Sequence, residues 1–291
     1  MYIDLHTHTL LSDGNYSAEE LIQMALDNNI SHLAMTDHNK IHTDIEKLRV
    51  QYPDIELISA SEISVEYRTS RGERREVHVV GLFLEQQTEC LKNFLKRNCD
   101  DGKSRATKIL KKLKQQGVNL GCESWEELHD LYFPEREHIG RPQIASIIAK
   151  KGYADSVDGA MDTYIGDYGE RRAFVQSSHE FADMQSVVEM IHCASGCAVL
   201  AHPLSYKLSD DEIVELIKYF KNRGGDAMEV YYRHYSDEES KKLQKLADQY
   251  GLLSSCGSDF HGKRSGDRLN HNFPAQYLEA LRRKHMEYKR A

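Results

Sequence analysis

The chain opens Met1-Tyr-Ile-Asp-Leu-His-Thr-His-Thr-Leu-Leu-Ser-Asp-Gly14, an apolar run that ends in His6 and His8, with Asp13 shortly after. In extended backbone, residues i and i+2 point to the same side, so the two imidazoles can grip one ion together. Leu5, Thr7 and Thr9 interleave with the histidines as a buried strand requires, and as a run of tag histidines would not. Asp13 falls on the loop that leaves this strand. The reading is a first β-strand whose C-terminal end already carries metal-binding chemistry.

Beyond Gly14 the chain alternates between helix and strand. Ser17-Ala-Glu-Glu20 is a capping box ahead of the periodic Leu21, Met24 and Ala25, which predicts a helix ending near Asn28-Asn29. A strand at 32–36 runs into Asp37-His38, and a helix is expected at about 42–51. A strand at 55–60 leads to Glu62, and one at 77–82 carries His78. After a helix near 87–98 the chain turns polar and irregular. Residues 101–172 read as an inserted helical subdomain, with 1–100 and 173–291 forming the main domain. Strand 197–201 then ends on His202-Pro203, strand 227–231 comes next, and strand 252–256 enters Gly257-Ser-Asp-Phe-His261. Short strands alternating with helices imply an α/β fold with a parallel sheet, here a distorted (β/α)7 TIM-like barrel. Such barrels place function at the C-terminal strand ends, where these polar residues fall. An open doubly wound sheet is the other choice, and no Gly-rich nucleotide loop supports it.

Composition narrows the class. The net charge of −8 argues against a surface for wrapping nucleic acid, which needs clustered Lys and Arg. Fifteen histidines in 291 residues are an excess that asks for a use. The six cysteines form no C-x-x-C pair, so reduced thiols are expected rather than structural zinc or a disulfide framework. No export signal or apolar span is evident, and the expectation is a cytoplasmic protein with no membrane, duplex-DNA or obligate protein partner. Each of His6, His8, Asp13, His38, Glu62, His78, His202, Asp259 and His261 has a mundane explanation alone. A barrel would bring them all to one place, where so many imidazoles and carboxylates are costly unless cations compensate them. They exceed the needs of one tetrahedral ion and suit two or three that share bridging carboxylates.

Asp4-Leu-His-Thr-His8 with Asp13-Gly14, Thr36-Asp37-His38, Glu62, His78, Ala201-His202-Pro203 and Gly257-Ser-Asp259-Phe-His261, in this order, resemble the polymerase-and-histidinol-phosphatase (PHP) superfamily over residues 4–261. Gly140-Arg-Pro-Gln-Ile-Ala145, Lys151-Gly-Tyr153 and Tyr164-Ile-Gly166 resemble the helical insertion of its small bacterial phosphoesterases, among them 3′,5′-nucleoside bisphosphate phosphatases and 5′–3′ exoribonucleases. Gln143 stands where that family usually has His. The resemblance implies a first ion on His6, His8, Glu62 and Asp259, a second on Asp13, His38 and His261, and a third on Glu62, His78 and His202. Mixed nitrogen and oxygen ligation suits manganese, iron or zinc. Lys103, Ser104, Arg105, Arg141 and His138 would contact the substrate. Asp13, His38, His202 and His261 would serve catalysis, with the general acid open between His202 and His261.

The expected reaction is hydrolysis of a small nucleotide's phosphate ester, or of a short RNA's 5′ end, by metal-activated hydroxide. Alternatives are a cyclic-phosphate phosphodiesterase, a histidinol-phosphate phosphatase, an amidohydrolase-type C–N hydrolase and a non-catalytic metal- or nucleotide-binding module. No lysine at a strand end fits the amidohydrolase pattern, and all nine positions are filled where a degenerate module would lose some. Trp125, Leu128 and Leu131 read as core of the insertion, Glu229, Tyr231 and Tyr232 as packing, and the basic 282–290 stretch as a solvated terminal helix.

Overall fold

The computed structural model describes residues 2–136, 139–165, 182–262, 269, 273 and 275–290, with backbone alone at 98–101. Its strands are β1 (Tyr2–Thr7), β2 (Ile30–Met35), β3 (Glu56–Arg68), β4 (Arg74–Leu82), β5 (Ala182–Asp183), β6 (Cys197–Leu200), β7 (Ala227–Tyr232) and β8 (Leu253–Gly257). Its α-helices are α1 (Ala18–Asp27), α2 (Ile45–Gln51), α3 (Glu89–Gln115), α4 (Trp125–Tyr132), α5 (Arg141–Lys150), α6 (Val157–Ala160), α7 (Met184–Cys193), α8 (Asp210–Lys221), α9 (Asp237–Tyr250) and α10 (Gln276–Arg290). The predicted capping box at Ser17–Glu20 starts α1, and Ser209–Glu212 and Ser236–Glu239 do the same for α8 and α9. Each pair satisfies backbone donors that a helix start leaves open.

The chain packs into two units. The larger comprises Met1–Leu10, Gly14–Leu95 and Phe181–Ala291. Its strands run in the order β1-β2-β3-β4-β6-β7-β8, and β5 pairs with β3 beside this path. The two ends of that path meet: Asp259 N–H donates to the His6 carbonyl at 2.8 Å and His8 N–H to the Phe260 carbonyl at 2.9 Å. The expected seven-stranded TIM-like barrel is therefore present, nearly closed. Its sheet is not wholly parallel, because β4 runs antiparallel to both β3 and β6. Only residues 69–73 join β3 to β4, with Gly72 at φ +80°, and a parallel crossover needs a dozen or more residues. Hence Glu62 lies within a 13-residue strand rather than after its end, and His78 lies mid-strand on β4.

Ile3, Leu5, Ala34, Ile58, Val80 and Val199 share one core with Leu278 and Leu281 of α10, so the basic terminal helix is docked on an apolar face. A second core lies under α1 and α2, and a third under α7, α8 and α9. Burial on this scale is the main stabilising term of the fold.

The smaller unit comprises Leu11–Asp13 and Lys96–Glu180. Ile109, Leu113, Leu120, Leu128, Ile144 and Ile148 form its core, with Trp125 half-buried against it. Leu131 is 60% exposed, contrary to its expected core role, although Leu128, three residues earlier on α4, is fully buried. Gln143 is buried, and its Oε1 accepts the Gly140 N–H at 2.9 Å, capping α5. Cysteine pairing also departs from expectation: Cys90, at the start of α3, is bonded to Cys193, at the end of α7, across a Cα separation of 6.7 Å. A separation of 103 residues leaves no local spacing signal for such a pair. Cys122, Cys197 and Cys256 are free and buried.

Candidate metal centre

β1 delivers His6 and His8 as adjacent rings, 5.2 Å between centroids. The strand's register shifts between Asp4 and Thr7, an irregularity of the kind that re-aims side chains near functional sites. Backbone bonds then carry the chain past the end of β2, between β1 and β3: Thr36 N–H donates to the Thr7 carbonyl, Glu62 N–H to the Thr36 carbonyl, and Asn39 N–H to the Glu62 carbonyl. This places His38 directly beside Glu62, with Asn39 at φ +52° turning the chain away. β4 adds His78, β6 leads into His202, and β8 leads into Asp259 and His261.

Glu62 is the hub of the group and is fully buried. Its Oε2 lies 3.3 Å from His6 Nε2, 3.3 Å from His8 Nε2 and 3.1 Å from His38 Nδ1. Its Oε1 lies 2.8 Å from His78 Nδ1 and 3.0 Å from His202 Nε2. Asp259 Oδ1 is 3.0 Å from His8 Nε2 and 3.5 Å from His6 Nε2. The ligand atoms of His6, His8, Glu62 and Asp259 thus lie within 4.8 Å of one another, as do those of His38, Glu62 and His78, and those of His8, His38 and His261. His38 therefore stands between the second and third expected sets, and His202 reaches the third through Glu62. Asp13 belongs by packing to the smaller unit, where Ser12 Oγ donates to it at 3.5 Å.

The electrostatics call for added positive charge. Burial alone would raise the Glu62 pKa, but charge on His78, His38 and His6 holds it well below the usual carboxylate range. Burial opposes a charged His78, yet Glu62 and Glu76 outweigh it and push its pKa up to about 10. Asp259 is likewise held well below normal against its burial, by His261 and His8. His6 Nε2 and Glu62 Oε2 are buried without a hydrogen-bond partner. Buried polar atoms left this way are costly unless something absent from a bare polypeptide meets them. Divalent ions fit that description, and they would leave the imidazoles neutral and ligating.

Supporting residues lie around the cluster. Asp37 accepts Thr9 N–H (2.9 Å) and Thr9 Oγ1–H (2.8 Å) and pairs with His42 at 3.0 Å. Asp4 accepts Ser258 N–H (2.9 Å) and His6 N–H (3.3 Å), tying β8 to β1. Burial pushes its carboxyl up to about 7 in spite of those bonds. Tyr232 Oη donates to Asp259 Oδ2 at 3.1 Å, and Glu229 contacts both His6 and His202. Glu229 and Tyr232 therefore do more than pack. A carboxylate two residues inside an apolar strand is the one sequence signal that pointed there. His202 (φ +26°) and Asp259 (φ +51°) hold left-handed backbone, strain of the kind that clusters at functional positions.

Among the expected substrate contacts, Lys103 Nζ sits 4.1 Å over the Trp125 ring within the smaller unit. Ser104 is exposed on α3, Arg105 is half-buried on the same helix, and Arg141 opens α5. His138 lies outside the described residues.

A barrel end lined by histidines around a shared glutamate is a candidate metal site of the kind that metal-dependent hydrolases use. The PHP domain model matches residues 4–282, and the chain belongs to the PHP family. It is 31% identical over 259 residues to a 5′-3′ exoribonuclease of Haemophilus influenzae, covering 89% of each chain. It is 29% identical over 267 residues to a 3′,5′-nucleoside bisphosphate phosphatase of Chromobacterium violaceum, covering 91% of this chain and 89% of that one. Among solved structures, a C. violaceum protein described as an amidohydrolase, with bound sulfate and no metal, superposes with a TM-score of 0.81 at 27% identity, over 97% of each chain.

Proposed function

We propose that this chain is a metal-dependent hydrolase of phosphoric esters whose substrate is a small nucleotide bearing a second phosphate. A 3′,5′-nucleoside bisphosphate such as pAp, or the 5′-phosphorylated end of a short RNA, has that form. The carrying observation is the sharing of the buried Glu62 by His6, His8, His38, His78 and His202 at 2.8–3.3 Å. The names of the relatives support the class, and both activities cleave a phosphate ester next to a nucleoside.

In this reading His6, His8, Glu62 and Asp259 hold one ion, Asp13, His38 and His261 a second, and Glu62, His78 and His202 a third. Asp13 joins its set because its turn is fastened on both sides, by Gly14 N–H to the Thr9 carbonyl and by Asn15 N–H to the His261 carbonyl, each at 2.9 Å. Manganese, iron or zinc suits these donors. When bound, two or three such ions supply Lewis acidity toward phosphoryl oxygen and bring water to hydroxide near neutral pH. The protein's own work is orientation. Asp37 fixes the turn that presents His38, Asp4 locks β1 to β8, and Tyr232 aims Asp259. Lys103, Ser104, Arg105, Arg141 and His138 engage the non-reacting phosphate, Arg141 by the paired donors of its guanidinium, with the smaller unit as a substrate cap. The proton for the leaving oxygen would come from His202 or His261, through the ring nitrogen that holds no ion. A cytoplasmic setting belongs to the same reading.

The test is elemental analysis of the purified protein together with phosphate release from pAp, mononucleotides, histidinol phosphate, a cyclic phosphodiester and 5′-phosphorylated oligonucleotides. Transition metal with release from pAp or the oligonucleotides is expected. Release from histidinol phosphate alone overturns the substrate class, and no metal with no release overturns the enzyme.

A further inference from the structure

β7 brings no member of the proposed ligand set to the barrel end; Glu229 occupies the corresponding place, 1% exposed. Its two oxygens serve different partners. Oε1 lies 2.8 Å from His6 Nδ1, and Oε2 accepts the His202 N–H at 2.6 Å. A carboxylate only accepts, so the first contact keeps a proton on His6 Nδ1 and leaves Nε2 as the free donor atom. That Nε2 is the buried atom without a hydrogen-bond partner, facing Glu62 at 3.3 Å and Asp259 at 3.5 Å. The second contact holds His202 at φ +26°, ψ +58°, a backbone state that persists only where its surroundings enforce it. Room for the arrangement comes from β8: a Cβ at Gly257 would lie 2.2 Å from His6 Cβ and 3.0 Å from Glu229 Oε1.

We propose that Glu229 is a positioning residue of the metal centre, setting the tautomer of His6 and the backbone of His202 so that both meet Glu62. It is not placed among the ligands, since its oxygens face His6 Nδ1 and the His202 N–H rather than the ligand atoms gathered around Glu62. The inference rests on the metal-binding reading of the barrel end. Glu229→Gln keeps the shape but offers a single acceptor, so its amide must turn an N–H toward either His6 or His202. Partners of this kind carry about 10- to 100-fold in metal affinity.

The experiment titrates metal-free protein with Zn²⁺ by calorimetry, for wild type and Glu229→Gln, with circular dichroism confirming the fold of each. Ring ¹⁵N spectra of histidine-labelled, zinc-loaded wild type identify which His6 nitrogen is metallated. The expected result is a zinc affinity lower by about 10- to 100-fold in the variant, and a His6 ring that binds through Nε2 with its proton on Nδ1. Equal affinity in a folded variant, or His6 bound through Nδ1, overturns the proposal; the spectrum of wild type decides even should the variant not fold. Wild type that takes up no zinc overturns the metal-centre reading itself, a separate and recognisable result.

Discussion

Glu62 faces the charge of three histidines and contacts five, and its carboxylate is what makes their company tolerable in a buried site. Removing one partner of a buried charged group is far more damaging than its absence from the start, because the remainder is left without compensation. Glu62→Gln preserves volume and removes the charge. It should lower bound metal by at least one ion per chain by elemental analysis and phosphate release by about 100-fold or more, since even outer partners carry 10- to 100-fold. Unchanged metal content would show that Glu62 is not the bridge. His42 gives a pH-dependent counterpart. Burial opposes its charge, but hydrogen bonding and charge from Asp37, with Asp44 at 3.7 Å, raise its pKa. A raised value means that charged His42 stabilises the fold at and below its unfolded pKa, near 6.5. That contribution disappears as pH climbs through the higher folded value. His42→Gln should therefore cost about 1–3 kcal/mol at pH 6 and much less at pH 9, read from denaturant melts at both. Equal loss at the two values would mean that the pair is neutral in the fold.

At the scale of elements, the approach of β8 to β1 is tight enough to specify a residue. Gly257→Ala would drive a methyl into His6, and the two strands could accommodate it only by separating, at about 1–3 kcal/mol. A thermal melt should fall accordingly, and an unshifted melt would show that this strand end has slack. The same element explains what sequence reading could reach. Histidines at i and i+2, serine–glutamate helix starts and strand-terminal polar residues are local signals, and each is legible in the residues that carry it. The antiparallel β4 escapes such a reading, although the short link at 69–73 contains its reason. Helix–strand alternation suggests crossovers, whereas β3 simply runs on through Glu62 into a hairpin. Glu229 and Tyr232 look like packing because their importance lies in partners 223 and 27 residues away. The Cys90–Cys193 bond is hidden for the same reason. Contacts between distant strands leave no trace in a window of neighbours.

For the molecule as a whole, the metal centre and the fold share one free energy. Six elements, β1 through β4, β6 and β8, each send a group into it or carry one just past their ends. Without ions, Glu62 and Asp259 face the charge of protonated histidines among the described residues. Ions that bind the folded chain and not the unfolded one stabilise it by RT ln(1 + [L]/Kd), about 2.7 kcal/mol at a hundredfold excess over Kd. For chains of this size each kcal/mol moves the midpoint by roughly 2–4 °C, so saturation with Mn²⁺ or Zn²⁺ should raise the melting temperature by roughly 5–10 °C. EDTA should reverse the gain, and added metal should restore it. The pH dependence has a definite sign. Metal competes with protons for His6, His8 and His78, so the increment should shrink as pH falls from 8 to 6. Melting curves that coincide with and without chelator at pH 8 would mean that the histidines and carboxylates around Glu62 satisfy one another, and that the barrel end is a salt-bridge network with no ion to hold.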